Sequence, residues 1–177
     1  NIIVAVDANR QRGIEHLLQL DLSPDVILLD DAFQHRKVKP GLSVLLTAYD
    51  NLFCDDIVLP SGNLREPRLG AQRAQVVIVT KSPNDLNSIE KENIAQRLAL
   101  NPNQKLFFSS IAYANEIVSK AKSHPIDELK TKKFTLVTGI ANAKPLVDYL
   151  ERLNLNFDHL EFVDHHEFSE KELKKIS

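Results

Sequence analysis

The chain has no methionine, a single cysteine and only five glycines in 177 residues. A complete translation product begins with methionine and this one opens on Asn1, so it is expected to be an internal piece of a longer protein. It also contains no G-x-x-x-x-G-K-[ST] run, and therefore no backbone cradle for the β- and γ-phosphates of a nucleotide. The lone Cys54 has no partner for an internal disulfide, which suits a reducing compartment. A net charge of −2 lacks the basic footprint of a nucleic-acid binder, and 43% hydrophobic with 26% charged residues excludes a disordered chain. The longest apolar runs are strand-length, far short of the roughly 20 residues that cross a bilayer, and no signal peptide opens the chain.

What is present is most informative from Asp25 to His35. Val26, Ile27, Leu28 and Leu29 form the continuous apolar run of a strand covered on both faces of a parallel sheet, and it stops at two carboxylates, Asp30 and Asp31. Ligands of such sheets bind just past the carboxyl ends of the strands. An acid pair there suits Mg²⁺ on nucleotide phosphates, although an Asp at this place also caps turns and helices.

Strand and helix patterns alternate along the chain, the signature of βαβ units around a mainly parallel sheet. Strands are expected near 2–6, 26–30, 43–47, 75–80, 106–109, 134–138 and 157–162, and helices over 10–20, 85–99, 143–153 and 170 onward. In the first helix Ile14, Leu17, Leu18 and Leu20 fall mostly on one face. The stretch from Tyr49 to Ala74 is too long for a plain connection and reads as a functional loop. A boundary is expected between Ser109 and Pro125, followed by a second strand-turn-helix with Gly139 and Asn142 at the turn and Pro145 in the first helical turn. Gly139 reads as tight turn geometry in preference to a phosphate loop.

Five motifs stand in order: Asp30-Asp31-Ala32-Phe33-Gln34-His35, Leu59-Pro60-Ser61-Gly62-Asn63-Leu64-Arg65-Glu66-Pro67, Thr80-Lys81, Thr138-Gly139-Ile140-Ala141-Asn142 and Phe162-Val163-Asp164-His165-His166. Together they resemble the tetraacyldisaccharide 4'-kinase family, the lipid A precursor kinases of Gram-negative bacteria, over nearly the whole chain. The departures are Ala32, where the family pattern has Gly, and Lys144, which separates Ala143 from Pro145.

The resemblance implies a P-loop-NTPase-like α/β fold with a mainly parallel sheet, followed by a smaller Rossmann-like α/β domain. Residues 1–109 would be the C-terminal part of the nucleotide-binding domain, 110–124 a linker and 125–177 part of the second domain. It also implies transfer of the ATP γ-phosphate to the 4'-hydroxyl of a tetraacyldisaccharide 1-phosphate, at the cytoplasmic side of the bacterial inner membrane, with the phosphate loop and a catalytic Asp upstream of Asn1. The chain by itself is therefore expected to be inactive.

For the site, Asp30 and Asp31 would serve Mg²⁺, with Glu66 a further oxygen ligand. Arg65 would neutralise a phosphate, because its planar fork suits phosphate oxygens. Gln34 and His35 would orient the acids or touch the acceptor. His165 would take the hydroxyl proton as general base, its pKa suited to work near neutrality, while Asp164 positions the turn. His16, His124 and His159 lack such a context and read as surface residues. Two other readings stay open: a metal-dependent hydrolase holding Zn²⁺ or Mn²⁺ through Asp30, Asp31, His35, His165 and His166, and a non-catalytic module that binds a nucleotide or a partner.

Overall fold

The computed structural model describes residues 2–119, 122–164 and 166–176. It consists of two compact units, Asn1–Ile111 and Ala112–Ser177. In the first, α1 (Arg10–Leu18) is started by Asn9, whose side chain accepts from the amides of Gln11 and Arg12. That satisfies two of the donors that a helix N-terminus leaves open. Asp7 takes Nε and Nη2 of Arg12 at 2.9 and 2.8 Å, and this pairing, helped by the Asn9 amide, lowers its carboxyl to about 2. Ile14 and Leu17 are half-buried and Leu18 is exposed.

The sheet of this unit has three parallel strands in the order β1 (Val44–Ala48), β2 (Val76–Thr80) and β3 (Lys105–Phe108). β2 is central, and the Val-Val-Ile-Val run makes it so: Val77 and Val79 are fully buried. They pack with Leu52, Ala74, Leu86, Ile94 and Leu98 as one aliphatic core. Helix α2 (Ser88–Leu98) crosses from β2 to β3 and contributes Ile94 and Leu98. A capping box starts it, Asn87 and Glu90 each bonding the other's backbone amide, and Ala99 ends it in the left-handed conformation, φ 48°.

Two expected strands do not form. Residues 2–6 and 26–29 are not strand, and Val26 and Leu28 are 72% and 89% exposed. A strand is defined by the ladders that satisfy its N–H and C=O groups, and apolar content supplies none of them. β1 is an edge of the sheet, and among the described residues no ladder continues from it to either run. The α/β class with parallel sheets nevertheless holds.

The long connection from β1 to β2, read from the sequence as a functional loop, is structured. Buried Thr47 starts it, its hydroxyl accepting from the Phe53 amide at 2.9 Å and donating to the Asn51 carbonyl at 3.3 Å. Short 3₁₀ helices follow at Phe53–Asp55 and Arg68–Arg73. Gln104, entering β3, holds the second by donating to the carbonyls of Ala71 and Ala74, both at 2.9 Å.

The second unit begins with an antiparallel pair, β4 (Glu116–Val118) and β5 (Ser123–Pro125), so much of the expected linker is a hairpin. A βαβ unit follows: β6 (Lys133–Thr138), α3 (Lys144–Arg152) and β7 (Asn156–Glu161), the two strands parallel. Phe134 and Phe157 are register partners and stack at 5.5 Å, a cross-strand pair that fixes alignment. Pro145 lies in the first turn of α3, where its missing N–H costs nothing. Helix α4 (Glu170–Ile176) closes the described chain. No helix among the described residues is long and apolar enough to cross a membrane.

Candidate functional site

The acidic motif forms a turn in place of a strand end. Asp31 sits in the left-handed region, φ 44°, which Asp tolerates because its short side chain can bond locally. Ala32 has no such φ, so the family's glycine is not required at this position here. The His35 amide donates to the Ala32 carbonyl at 2.9 Å and closes the turn, leaving the Gln34 and His35 side chains exposed.

Thirty-four positions downstream, Arg65 returns to this turn and its Nη1 donates to Asp31 Oδ2 at 2.9 Å. The side chains are 63% and 73% exposed. A pair so open to water contributes no more than about 1 kcal/mol. The contact therefore locates the Arg65 fork beside the acids without locking it there.

Glu66 points to other partners. Its Oε1 accepts from Arg73 Nη2 at 2.7 Å and its Oε2 from Arg36 Nη2 at 3.2 Å, and its side chain is only 16% exposed. The Arg73 hydrogen bond, with Arg36 behind it, holds the carboxyl below the usual carboxylate range against the opposing push of partial burial. Sequence reasoning placed Glu66 as a metal ligand and did not use Arg36 or Arg73. The available signal was the position of Arg36 directly after Gln34-His35 and of Arg73 at the end of the loop.

The Leu59–Pro67 block owes its shape to backbone traffic. The Leu59 amide donates to the Leu64 carbonyl and the Leu64 amide to the Ile57 carbonyl, at 2.9 and 3.0 Å. Asp56 caps the arrangement by accepting from the amides of Ile57 and Asn63 and from Asn63 Nδ2, bonds that depress its pKa. A Cβ at Gly62 would collide with Asp56 Oδ1 and the Ile57 carbonyl oxygen, so glycine is needed here for space.

In the second unit the turns after β6 and β7 are neighbours, as the carboxyl ends of adjacent parallel strands must be. A Cβ on Gly139 would lie 3.6 Å from the Val163 carbonyl oxygen and 3.9 Å from His166 Cβ. His165 lies outside the described residues. His166 is half-buried: its ring stacks on Phe162 at 4.7 Å, meets Phe168 edge-on at 5.0 Å, and its Nε2 is 3.2 Å from Glu172 Oε1. Glu172 in turn accepts from the amide and hydroxyl of Ser169, which lower its pKa. His159, read as a surface residue, is half-buried and pairs with Thr138 Oγ1 at 2.8 Å. Alternation along β7 places it on the same face as Phe157, toward the interior.

Asp30 and Asp31 fit Mg²⁺ by donor chemistry. They are adjacent, exposed and hard, and Mg²⁺ takes one or two carboxylates beside water and phosphate oxygens instead of a protein cage. Among the described residues no three His, Cys, Asp or Glu side chains are grouped to hold a metal.

Comparison with known proteins gives this geometry a context. The tetraacyldisaccharide 4'-kinase of Flavobacterium johnsoniae is 48% identical over 99% of this chain and 51% of its own length. That of Bacteroides thetaiotaomicron is 47% identical over 99% and 49%. The chain thus spans about half the length of the curated relatives it matches. Among solved structures, LpxK from Aquifex aeolicus in complex with ATP superposes with a TM-score of 0.68 at 26% identity, covering 91% of this chain and 47% of that one. Since the match to LpxK, tetraacyldisaccharide-1-P 4'-kinase, runs over residues 1–177, the chain belongs to that family.

Proposed function

We propose that the whole protein transfers the γ-phosphate of ATP to the 4'-hydroxyl of a tetraacyldisaccharide 1-phosphate, the lipid A precursor, at the cytoplasmic face of the inner membrane. Residues 1–109 belong to its nucleotide-binding domain, 110–124 link it to the next, and 125–177 are part of a second α/β domain. The observation that carries the reading is the Arg65–Asp31 contact, which brings the two most distinctive motifs of the chain to one place.

Phosphoryl transfer asks for charge neutralisation and positioning more than for covalent chemistry by the protein. Asp30 and Asp31 would hold Mg²⁺, which when bound would supply neutralisation of the negative charge on the phosphates. Arg65 gives up little by exchanging Asp31 for a phosphate, since the pair is exposed and weak. Gln34 and His35 lie on the open side of the same turn, free to orient the acids or meet the acceptor. His165 is the proton acceptor for the sugar hydroxyl. The membrane surface is reached through the whole protein, because the acyl chains of the acceptor remain in the bilayer.

The test is to incubate the whole protein with Mg-ATP and the tetraacyldisaccharide 1-phosphate in detergent micelles and to follow the product by mass. A 4'-phosphorylated disaccharide is expected. Nucleotide binding without product would leave a binding module, and hydrolysis of a phosphate from the disaccharide would leave a hydrolase.

Arg65→Lys keeps the charge but loses the two-pronged geometry, so turnover is expected to fall severalfold or more. Kinetics equal to wild type would mean that Arg65 serves only the exposed pair with Asp31.

A further inference from the structure

One guanidinium joins the acidic turn to the loop that faces it. Arg73 Nη2 donates to Glu66 Oε1 at 2.7 Å and to the Phe33 carbonyl at 3.1 Å, and its Cζ lies 4.7 Å from the centroid of the Phe33 ring. Arg36, on the turn itself, takes the other Glu66 oxygen. Residues 33–36 are thus bound to the loop by an Arg-carboxylate-Arg chain, with an aromatic face under one of the cations. The Arg73–Glu66 bond, between side chains 35% and 16% exposed, is better shielded from water than the Arg65–Asp31 contact, whereas Arg36 at 70% exposure adds only an open outer contact.

The backbone has made room for the carboxylate. A Cβ on Gly70 would stand 2.6 Å from Glu66 Cδ and within 2.9 Å of both its oxygens. A metal cation approaching Glu66 would also meet the field of two guanidiniums, so this carboxylate is suited to anchoring arginines and poorly suited to Mg²⁺.

We propose that Arg73 is a positioning residue for phosphoryl transfer: acting through Glu66 and Phe33, it fixes the turn that carries Asp30 and Asp31 against the loop that carries Arg65. The proposal rests on the kinase reading above. It assigns Glu66 to the clamp in place of the metal, and it makes the geometry of the acids depend on a residue whose contacts are with Glu66 and Phe33. Gly70 belongs to the same device, since only its missing side chain lets the carboxylate reach both arginines.

The test uses five variants of the whole protein: Arg73→Ala, Arg73→Lys, Glu66→Ala, the Arg73→Ala/Glu66→Ala combination, and Gly70→Ala, with activity titrated against Mg²⁺ and unfolding followed by heat. Arg73→Ala is expected to raise the Mg²⁺ concentration for half-maximal activity and to lower kcat by about 10-fold, the low end for loss of an outer supporting contact. Arg73→Lys should recover part of this, because lysine can pair with Glu66 but cannot also reach Phe33 in the same geometry. Glu66→Ala, which also releases Arg36, should shift the Mg²⁺ titration in the same direction as Arg73→Ala, and the double variant should fall short of the sum of the two, since they share the Arg73–Glu66 bond. Gly70→Ala removes no charge, displaces the carboxylate and should reproduce the pattern, and it carries the test if Arg73→Ala does not fold. A lowered melting temperature with an unchanged Mg²⁺ titration would overturn the proposal, as would additive effects of Arg73→Ala and Glu66→Ala. If the wild-type protein shows no kinase activity, the functional reading fails separately, and hydrogen exchange of residues 30–36 then decides: faster exchange in Gly70→Ala upholds the clamp, and unchanged exchange overturns it.

Discussion

Replacing His165 by alanine in the whole protein is expected to lower kcat by roughly 10²-fold or more while the affinity for ATP changes little. That is the range in which loss of a positioned general base falls, and a group acting only on the acceptor hydroxyl has no reason to alter nucleotide binding. His166→Ala separates the two neighbours. The His166 ring is already engaged by Phe162, Phe168 and Glu172, so its loss should appear mainly as a lower melting temperature, with a much smaller change in kcat. Single-turnover kinetics and a nucleotide-binding isotherm on both variants check this. If His166→Ala proves the damaging change, or if His165→Ala loses ATP binding in step with its rate, the base assignment is wrong and the histidines position substrate or hold the turn.

Neutralising Asp31 should cost about 10²-fold in turnover, equivalent to about 3 kcal/mol of transition-state stabilisation, and should move the Mg²⁺ activation curve to higher concentration. Asparagine is the right replacement. Position 31 has φ 44°, where Asn is nearly as tolerant as Asp while Ala adds backbone strain that would blur the reading. Asp31→Asn also weakens the exposed ion pair with Arg65, but that pair contributes no more than about 1 kcal/mol, too little to produce the expected loss alone. An unchanged Mg²⁺ titration in Asp31→Asn would remove this residue from the metal site, and the same measurement on Asp30→Asn would then say whether its neighbour carries the ion.

The parts of the fold that were legible in the sequence were those whose signal is local. The valine run of β2 and Pro145 at the start of α3 each announce an element through its own chemistry, and each element formed within a few residues of its expected place. The run 26–29 carried an equally strong apolar signal and did not become a strand, because pairing depends on a neighbour that composition cannot reveal. The site divides the same way. Motif order pointed to Asp31 and Arg65, and the structure places them in contact. Which arginine Glu66 would choose is a matter of loop geometry, set by Gly70, by the 3₁₀ turn at Arg68–Arg73 and by Gln104 from another strand, and none of these is periodic. His159 shows the limit from the other side: its pairing with Thr138 follows from the register of β6 and β7, and register is absent from a single segment read alone.

The edge strand β1 has a consequence for how the chain behaves among its own kind. Its second row of backbone donors and acceptors has no ladder among the described residues, and Leu46 on it is 61% exposed. A row of open amides beside an exposed apolar side chain is a template for intermolecular pairing, and a net charge of −2 supplies little long-range repulsion to oppose it. Colloidal behaviour at high concentration is therefore governed by this edge: additives that occupy backbone groups should keep the chain dispersed, whereas lowering the ionic strength should do little.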